Sequence, residues 1–338
     1  TENSYTNVIA LPDAYRTPLP AEASTYELRR SQQDETRAGS FTRYPFHDML
    51  RFVHQAGDGA HDIAYEDIAY ERAIQAVAAD AAEGQRYFRR LIERVRTLYR
   101  PDDCGVTRND PLTLLALGVL ESLALPGESY KLAFTPGLLD QVYERTGLKL
   151  LLPDAAAILG GAGPDRGGYV DLDSDDHWWI PSGRPYLSSN SRDDASTELA
   201  QARQHFFLPR RYCDPFGQDA LVDFDAHDLL MAETRDALGN RVTVDVNDYC
   251  VLQPRLVSDP NRNRSEVAFD ALGMVVGTAV MGKPTPAPVE GDKLTGFVAD
   301  LAQTDLDAFF DAADPHAVAP GLLRDATTRI VYDLDRFR

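Results

Sequence analysis

The sequence is short of sulfur chemistry, of basic charge and of long apolar runs, and each shortage closes a class of function. Its three cysteines, Cys104, Cys213 and Cys250, are far apart and form no Cys-x-x-Cys pair. A disulfide framework and a cysteine zinc site are therefore unsupported, and all three read as small buried hydrophobes. Lys and Arg total 34 against 53 Asp and Glu, for a net charge of −19. That balance opposes binding to nucleic acid or anionic membranes and describes a soluble, self-repelling surface. No apolar run approaches the roughly 18 to 20 residues of a membrane span, and no charged-then-apolar signal peptide opens the chain. Catalytic signatures are missing as well. There is no Gly-x-Ser-x-Gly elbow, no phosphate-binding glycine loop and no His-Glu-x-x-His. The seven histidines, His47, His54, His61, His177, His205, His227 and His316, occur singly and read as surface or hydrogen-bonded residues. No catalytic residue, cofactor site or metal ligand is assigned, and the chain is expected not to be an enzyme.

What the sequence does contain is a globular composition, 43% hydrophobic over 338 residues, and one short pattern written three times. Asp214-Pro-Phe-Gly217-Gln218, Asp236-Ala-Leu-Gly239-Asn240 and Asp259-Pro-Asn-Arg-Asn263 each place an amide four positions after an Asp. The copies are 22 and 23 residues apart, a period that signals one repeated supersecondary unit. The unit predicted is a β-hairpin: Asp caps the reversal, Pro or Ala sets the first corner, and Gly or Asn accepts φ > 0. Between the turns, Val222 and Phe224, then Val242, Val244 and Val246, then Val267 and Phe269 alternate with polar neighbours, as in strands buried on one face. Each strand closes on an acid or amide, at Asp225, Asn247 and Asp270, seven residues after the amide of its turn.

An apolar residue followed by Asp, with a later Asp-x-x-Gly-Asn turn, resembles the YD repeats of Rhs-type proteins. Farther out, Leu125 to Leu139, His177-Trp178-Trp179-Ile-Pro-Ser-Gly-Arg184, Ala326 to Asp333, Tyr5-Thr-Asn7 and Pro12 to Pro20 resemble segments of the B component of bacterial insecticidal toxin complexes, the Tc toxins. That resemblance implies a curled antiparallel β-sheet, part of a hollow shell that encloses a toxic C-terminal payload. It also implies the partners: other parts of the shell, a C-type toxin component and a pore-forming A component, in a secreted or extracellular setting. The C component of the family carries a self-cleaving site with two neighbouring Asp-Pro-x-Gly motifs. Here Asp214-Pro-Phe-Gly217 matches one, but Asp259-Pro260 has Arg262 in place of the glycine, so autoproteolysis is not carried over. The missing initiator Met and the strand-like run Arg329 to Asp333 just before the end read as an excised piece of a longer polypeptide.

The expected fold is mainly β with a few short helices. Residues 1–205 are read as a strand-rich segment with helical insertions, and 206–338 as YD-like hairpin repeats followed by a Pro-rich linker and a short helix over 284–320. Ser24 to Leu28 alternates as a strand, residues 31–44 read as a charged loop, and Glu71 to Glu83 as a short helix that stops at Gly84. Arg89 to Arg100 fits helix or strand by spacing alone, and the resemblance favours a strand over Leu91 to Tyr99. Tyr130 to Thr135 is a predicted strand, and Pro136 opens a helix that ends at Gly147. Residues 153–168 look like a loop, Gly167-Gly168 then releasing the chain into Tyr169 to Asp173. Ser196 to Gln204 has helical spacing, and Thr304 to Asp307 resembles a capping box. Lys283 to Val289 reads as an extended linker.

One alternative function remains, a carbohydrate- or calcium-dependent surface-binding module around Asp171 to Trp179. Alternating carboxylates at Asp171, Asp173, Asp175 and Asp176 begin like a calcium loop, but the glycine and the distal Glu of such a loop are replaced by Asp176 and Ser182. Trp178 and Trp179 point to opposite sides of a strand, so one ring could enter a core and the other cover the far surface as a sugar platform.

Overall fold

The computed structural model describes residues 1–30, 46–47, 50–51, 62–67, 87–143, 154–161, 166–286 and 291–332. The predicted loop over 31–44 and the predicted helix over Glu71 to Glu83 lie outside them. The chain divides into two compact units, one of residues 1–185 with 193–199 and 213–217, the other of 186–192, 200–212 and 218–338. The boundary at 205 expected from the sequence falls within residues 200–212 of the second unit.

The first unit is built on a seven-stranded sheet. Its strands are β1 (Glu2–Tyr5), β4 (Pro20–Arg30), β5 (Asp62–Ile63), β6 (Tyr87–Tyr99), β7 (Pro126–Phe134), β8 (Val170–Asp171) and β9 (Trp178–Pro181). The order is β1-β4-β6-β7-β9-β8, with β5 pairing in parallel to the start of β6; β2 (Ile9–Leu11) and β3 (Ala14–Arg16) form a separate hairpin. The ambiguous run is thus a strand. In β6 three of the arginines are taken up by acids of neighbouring segments: Arg89 pairs with Glu2 and Asp62, Arg90 with Glu27, and Arg96 with Glu22 and Asp173. A helix would spread these arginines around its circumference, away from the acids of β4.

Helix α1 (Pro136–Val142) follows β7 at once, with Pro in its first turn and the Thr135 hydroxyl accepting from the Leu138 amide. The segment read as a loop after Pro153 contains helix α2 (Ala155–Leu159), whose N-cap Asp154 accepts from Ala157 N–H. Its alanines favour helix and the Asp cap starts it, so the neighbouring glycines end the helix without preventing it. The helix delivers Leu159 to Trp178, which packs with Leu139, Phe134 and Tyr169. Trp179 enters a different cluster with Tyr130, Leu132, Leu91 and Leu98. Both indoles are buried, at 5% and 1% exposure, so the expected surface ring does not exist.

A second buried feature joins the end of β6 to helix α3 (Ala195–Gln204). Arg100 and Glu198 meet in a two-pronged ion pair, Nη1 to Oε1 at 2.8 Å and Nη2 to Oε2 at 2.7 Å, at side-chain exposures of 1% and 3%. Asp194 caps the helix by accepting from Thr197 N–H, which sets Glu198 in the first turn. Cys104 lies fully buried nearby, its carbonyl accepting from Arg100, and burial pushes its thiol up to about 11. The other two cysteines differ from expectation: Cys213 is half-buried and Cys250 exposed.

The second unit is dominated by strands that follow one another in chain order. After β10 (Arg184–Tyr186) and β11 (Arg211–Cys213) come β12 (Asp219–Phe224), β13 (Met231–Arg235), β14 (Arg241–Asp248), β15 (Gln253–Ser258), β16 (Arg264–Phe269), β17 (Val275–Met281) and β18 (Thr328–Arg329). Each neighbouring pair from β12 to β18 is antiparallel. The strand-like run near the end is annexed to this sheet: Ile330 N–H donates to Val276 and the Tyr332 hydroxyl to the Val275 carbonyl. Two helices lie between β17 and β18, where one was expected. Helix α4 (Gln303–Phe310) starts a residue before Thr304, which makes no capping bond, and α5 (Pro315–Leu323) is capped by Asp314.

Register sorts this sheet into two unlike faces. Val222 faces Thr234 and then Val242; Val244 faces Val257; and Ser265 faces Val280. With Val267, these valines form an apolar row. On the other face Asp223, Glu233, Thr243, Ser258, Arg264 and Met281 stand in line across six strands. A bulge after Val244 turns Val246 to pair with Leu256, off the face of Val242 and Val244. Asp245, the extra residue, holds the bulge by accepting from the Ser258 and Thr243 hydroxyls. The expected one-sided burial is not found: no residue of β12 to β16 is buried, and Val242 and Val246 are exposed. Within the described residues of this unit no second layer lies over those strands.

Candidate functional site

The meander is joined by a series of turns that each begin with Asp, at 214, 225, 236, 248, 259 and 270, spaced 11, 11, 12, 11 and 11 residues apart. At Asp236 the carboxylate Oδ1 accepts from Leu238 N–H and Asn240 N–H, its own carbonyl accepts from Gly239 N–H, and its amide donates to the Asn240 carbonyl. The Asn240 side-chain amide donates to Oδ2 at 2.8 Å. Asp259 is bound in the same way by Asn263, from both backbone and side chain. Asp214 accepts from Phe216 N–H, and its carbonyl from Gly217 N–H.

The residues read as strand ends are turn starters too. Asp225 accepts from His227 and Leu229 N–H, and Asp270 from Leu272 and Met274 N–H. The third of them is displaced by one position: Asn247 is still within β14, and Asp248 makes the turn by accepting from Cys250 N–H. The repeat read as 22 to 23 residues is therefore two turns, one at each end of the sheet. Sequence held the clue, since Asp-Ala-Leu-Gly is spelled at 236–239 and again at 270–273.

Positive φ falls on the fourth residue of the turn at Gly217, Asp228, Gly239, Arg262 and Gly273. In the 12-residue interval it falls one later, on Leu252. Asn was expected to carry it where Gly is lacking. Arg262 does so at φ 68°, because the backbone bonds to Asp259 and Asn263 fix the loop and leave the corner residue no choice.

The carboxylates show the cost of removing these bonds. Donation from Leu229 N–H, with help from the Tyr249 hydroxyl and His227 N–H, holds Asp225 down at about 2. The Asn240 amide lowers Asp236, and the Asn263 amide lowers Asp259. A carboxyl whose folded pKa lies below its unfolded value near 3.9 contributes stability that is complete above that value and is lost as pH falls through the folded one. The expected result is constant amide shifts for Leu229, Asn240 and Asn263 down to about pH 4 and a reversible loss of turn structure between about pH 4 and 2. An NMR titration in which those amides move between pH 7 and 5 would contradict this assignment.

Turns at one end of the sheet touch. The Tyr249 hydroxyl donates to Asp225 Oδ2 at 2.7 Å, and its ring meets His227 edge-on at 6.0 Å. In the same unit, His205 Nδ1 lies 2.8 Å from Asp228 Oδ2, while Arg210 donates to Oδ1 at 2.5 Å. His205 is thus a hydrogen-bonded partner of an acid already held by arginine.

The Asp171 to Trp179 segment does not favour the alternative site. Asp171 accepts from Asp175 and Asp176 N–H, Asp173 pairs with Arg96, and Asp175 lies 3.0 Å from His177 Nδ1. Among the described residues no group of three or more His, Cys, Asp or Glu is arranged to hold a metal ion, and no helix is long and apolar enough to cross a membrane.

The fold and these turns define a mainly β protein of antiparallel sheets with a few short helices. No family model and no curated protein matches the sequence. Among solved structures, TcdB2-TccC3 without its hypervariable C-terminal region is similar at 14% identity and a TM-score of 0.49, over 93% of this chain and 12% of that one. TcdB2-TccC3 gives 14% and 0.48 over the same shares. The TcdB2-TccC3-Cdc42 structure gives 16% and 0.43, over 72% of this chain and 10% of that one. The chain thus spans 10% to 12% of the length of the chains it matches, and likeness at this level does not carry their activities over to it.

Proposed function

We propose that this chain is a non-catalytic wall segment of a larger β-shell of the toxin-complex B type, which encloses a toxic payload for delivery. The observation that carries the reading is the meander itself: strands of near-constant length, turned by Asp at every end, with an apolar row that is only half-covered. A wall of this kind extends by adding hairpins, and its faces are completed by neighbours and contents. The exposed tips Phe216, Leu238 and Leu272 suit burial against further parts of the same shell. Partners on this reading are a C-type component and a pore-forming A component, outside the cell. The polar groups at Asp173 and His205 are structural, each used by a neighbour.

The test is protease protection of the payload in the complete toxin. Gly239 has φ 85° and open space where a Cβ would be, so Gly239→Val acts through backbone strain alone, about 1 to 3 kcal/mol. It is expected to loosen the turn, disturb the register of β13 and β14 and speed payload digestion. Asp173→Ala and His205→Ala leave protection unchanged. If the Gly239 variant protects as well as the parent while a folded Asp173 or His205 variant abolishes toxicity, the wall reading is wrong.

A further inference from the structure

Where Tyr249 fills the space between the turns at Asp225 and Asp248, the corresponding space at the other end of the sheet is open. The turns at Asp236 and Asp259 flank an open-sided groove of about 680 Å³. Register brings its floor together: Thr243 faces Ser258, Ser258 faces Arg264, and Arg241 stands two residues before Thr243 on the same face. Arg262 joins them from the turn, so three arginines line one concavity of a chain whose net charge is −19.

Arg264 is the most informative of the three. Among the described residues six arginines have a shielded Nε with no hydrogen-bond partner: Arg90, Arg100, Arg210, Arg211, Arg264 and Arg329. In five of them the terminal nitrogens reach a carboxylate or a carbonyl within the protein. Among the described residues Arg264 has no such partner, and neither does Arg262. The shielded Nε of Arg264 is costly to leave unpaired, while its terminal nitrogens are not among the shielded atoms and are open to an acceptor. Arg241, by contrast, is committed in part to Glu233 at 3.6 Å.

We infer that this groove binds an acidic polypeptide segment, with a carboxylate of that segment seated on Arg264 and Arg262. The planar fork of arginine matches a carboxylate in two parallel hydrogen bonds. Leu256, Pro260 and Pro284 supply apolar walls for the methylenes that carry it. Nucleic acid or polyphosphate, which carries a charge at every repeat, fits less well than a peptide whose acids are spaced by apolar residues, because Asp245 and Asp259 line the same groove as the arginines. The open side and the volume suit an extended segment better than an enclosed small molecule. The inference does not depend on the wall reading.

The experiment is fluorescence anisotropy of the full chain with a labelled peptide of alternating glutamate and leucine, at low ionic strength, beside the same peptide with glutamine for glutamate. The glutamate peptide is expected to bind and the glutamine peptide not. Arg264→Gln should weaken binding about tenfold or more, the effect of losing a charge-assisted pair, and Arg262→Gln several-fold. Arg264→Lys keeps the charge but loses the fork and is expected to fall between. Arg94→Gln, which removes an equal charge in the first unit, should leave affinity within about twofold. The proposal is overturned if the two peptides bind alike, if neither binds, or if Arg94→Gln weakens binding as much as Arg264→Gln. It is also overturned if inorganic phosphate displaces the peptide at equal concentration, since the groove would then be a free-oxyanion site. Should Arg264→Gln lose its native circular dichroism, the Arg262→Gln and Arg264→Lys results decide.

Discussion

Replacing Glu198 by Ala is expected to destabilise the first unit by about 3 to 5 kcal/mol, the cost of leaving a buried charge without its partner. The Arg100 guanidinium is 1% exposed and both of its terminal nitrogens are aimed at Glu198. Once the carboxylate is gone, the carbonyls of Cys104 and Pro111 still accept from Nη2, but no negative charge remains to offset desolvation. Truncation also opens a cavity at the first turn of α3, which adds to the loss. Arg100→Met combined with Glu198→Leu should recover most of the stability, because a buried pair is replaced by apolar groups of similar volume and no charge is stranded. Urea unfolding followed by tryptophan fluorescence measures both, since Trp178 and Trp179 are in the same unit. If Glu198→Ala unfolds at the parental midpoint, the pair is not the buried staple described here.

Gly105→Ala is the second large loss, expected at about 3 kcal/mol, from strain and overpacking together. Gly105 has φ 90°, and a Cβ there would lie 2.0 Å from the Asp110 carbonyl oxygen and 3.0 Å from its carbon. Those atoms are backbone and cannot swing aside. The loop they belong to is fixed by hydrogen bonds from Asp110 N–H and Arg108 N–H to the Gly105 carbonyl, and it packs beside Cys104. Gly239→Ala makes the control, with a similar φ of 85° but nothing within 4 Å of its Cβ. It should cost about 1 kcal/mol. Equal losses at the two glycines would show that the Asp110 contact is not the cause.

The repeat was legible at every second turn because Asp followed four residues later by an amide is visible at Asp214, Asp236 and Asp259. The intervening turns were hidden by their chemistry. Asp225 and Asp270 receive the same backbone bonds, but their closing residues, Leu229 and Met274, carry no amide to announce them. At Asp248 the extra residue shifts the pattern by one, so counting in sevens landed on Asn247. The apolar alternation of β14 misled for a related reason: a bulge at Asp245 is stabilised by Ser258, thirteen residues away, and no local pattern records it.

Sequence by itself determined those element types and turns whose signals are local. Period-2 alternation, the Thr135-Pro136 helix start and the Asp turns are local, because backbone torsion and hydrogen bonds within about five residues decide them. The tertiary structure alone decided which polar groups find partners. β6 became a strand because β4 offers acids in register with its arginines, and Asp154 to Leu159 became a helix that ends against Trp178. Arg100 is paired by a residue 98 positions away, while the Arg264 Nε finds no partner among the described residues. Such pairings follow from which strands lie side by side, and that order is set by burial summed over a whole sheet rather than by any single stretch of chain.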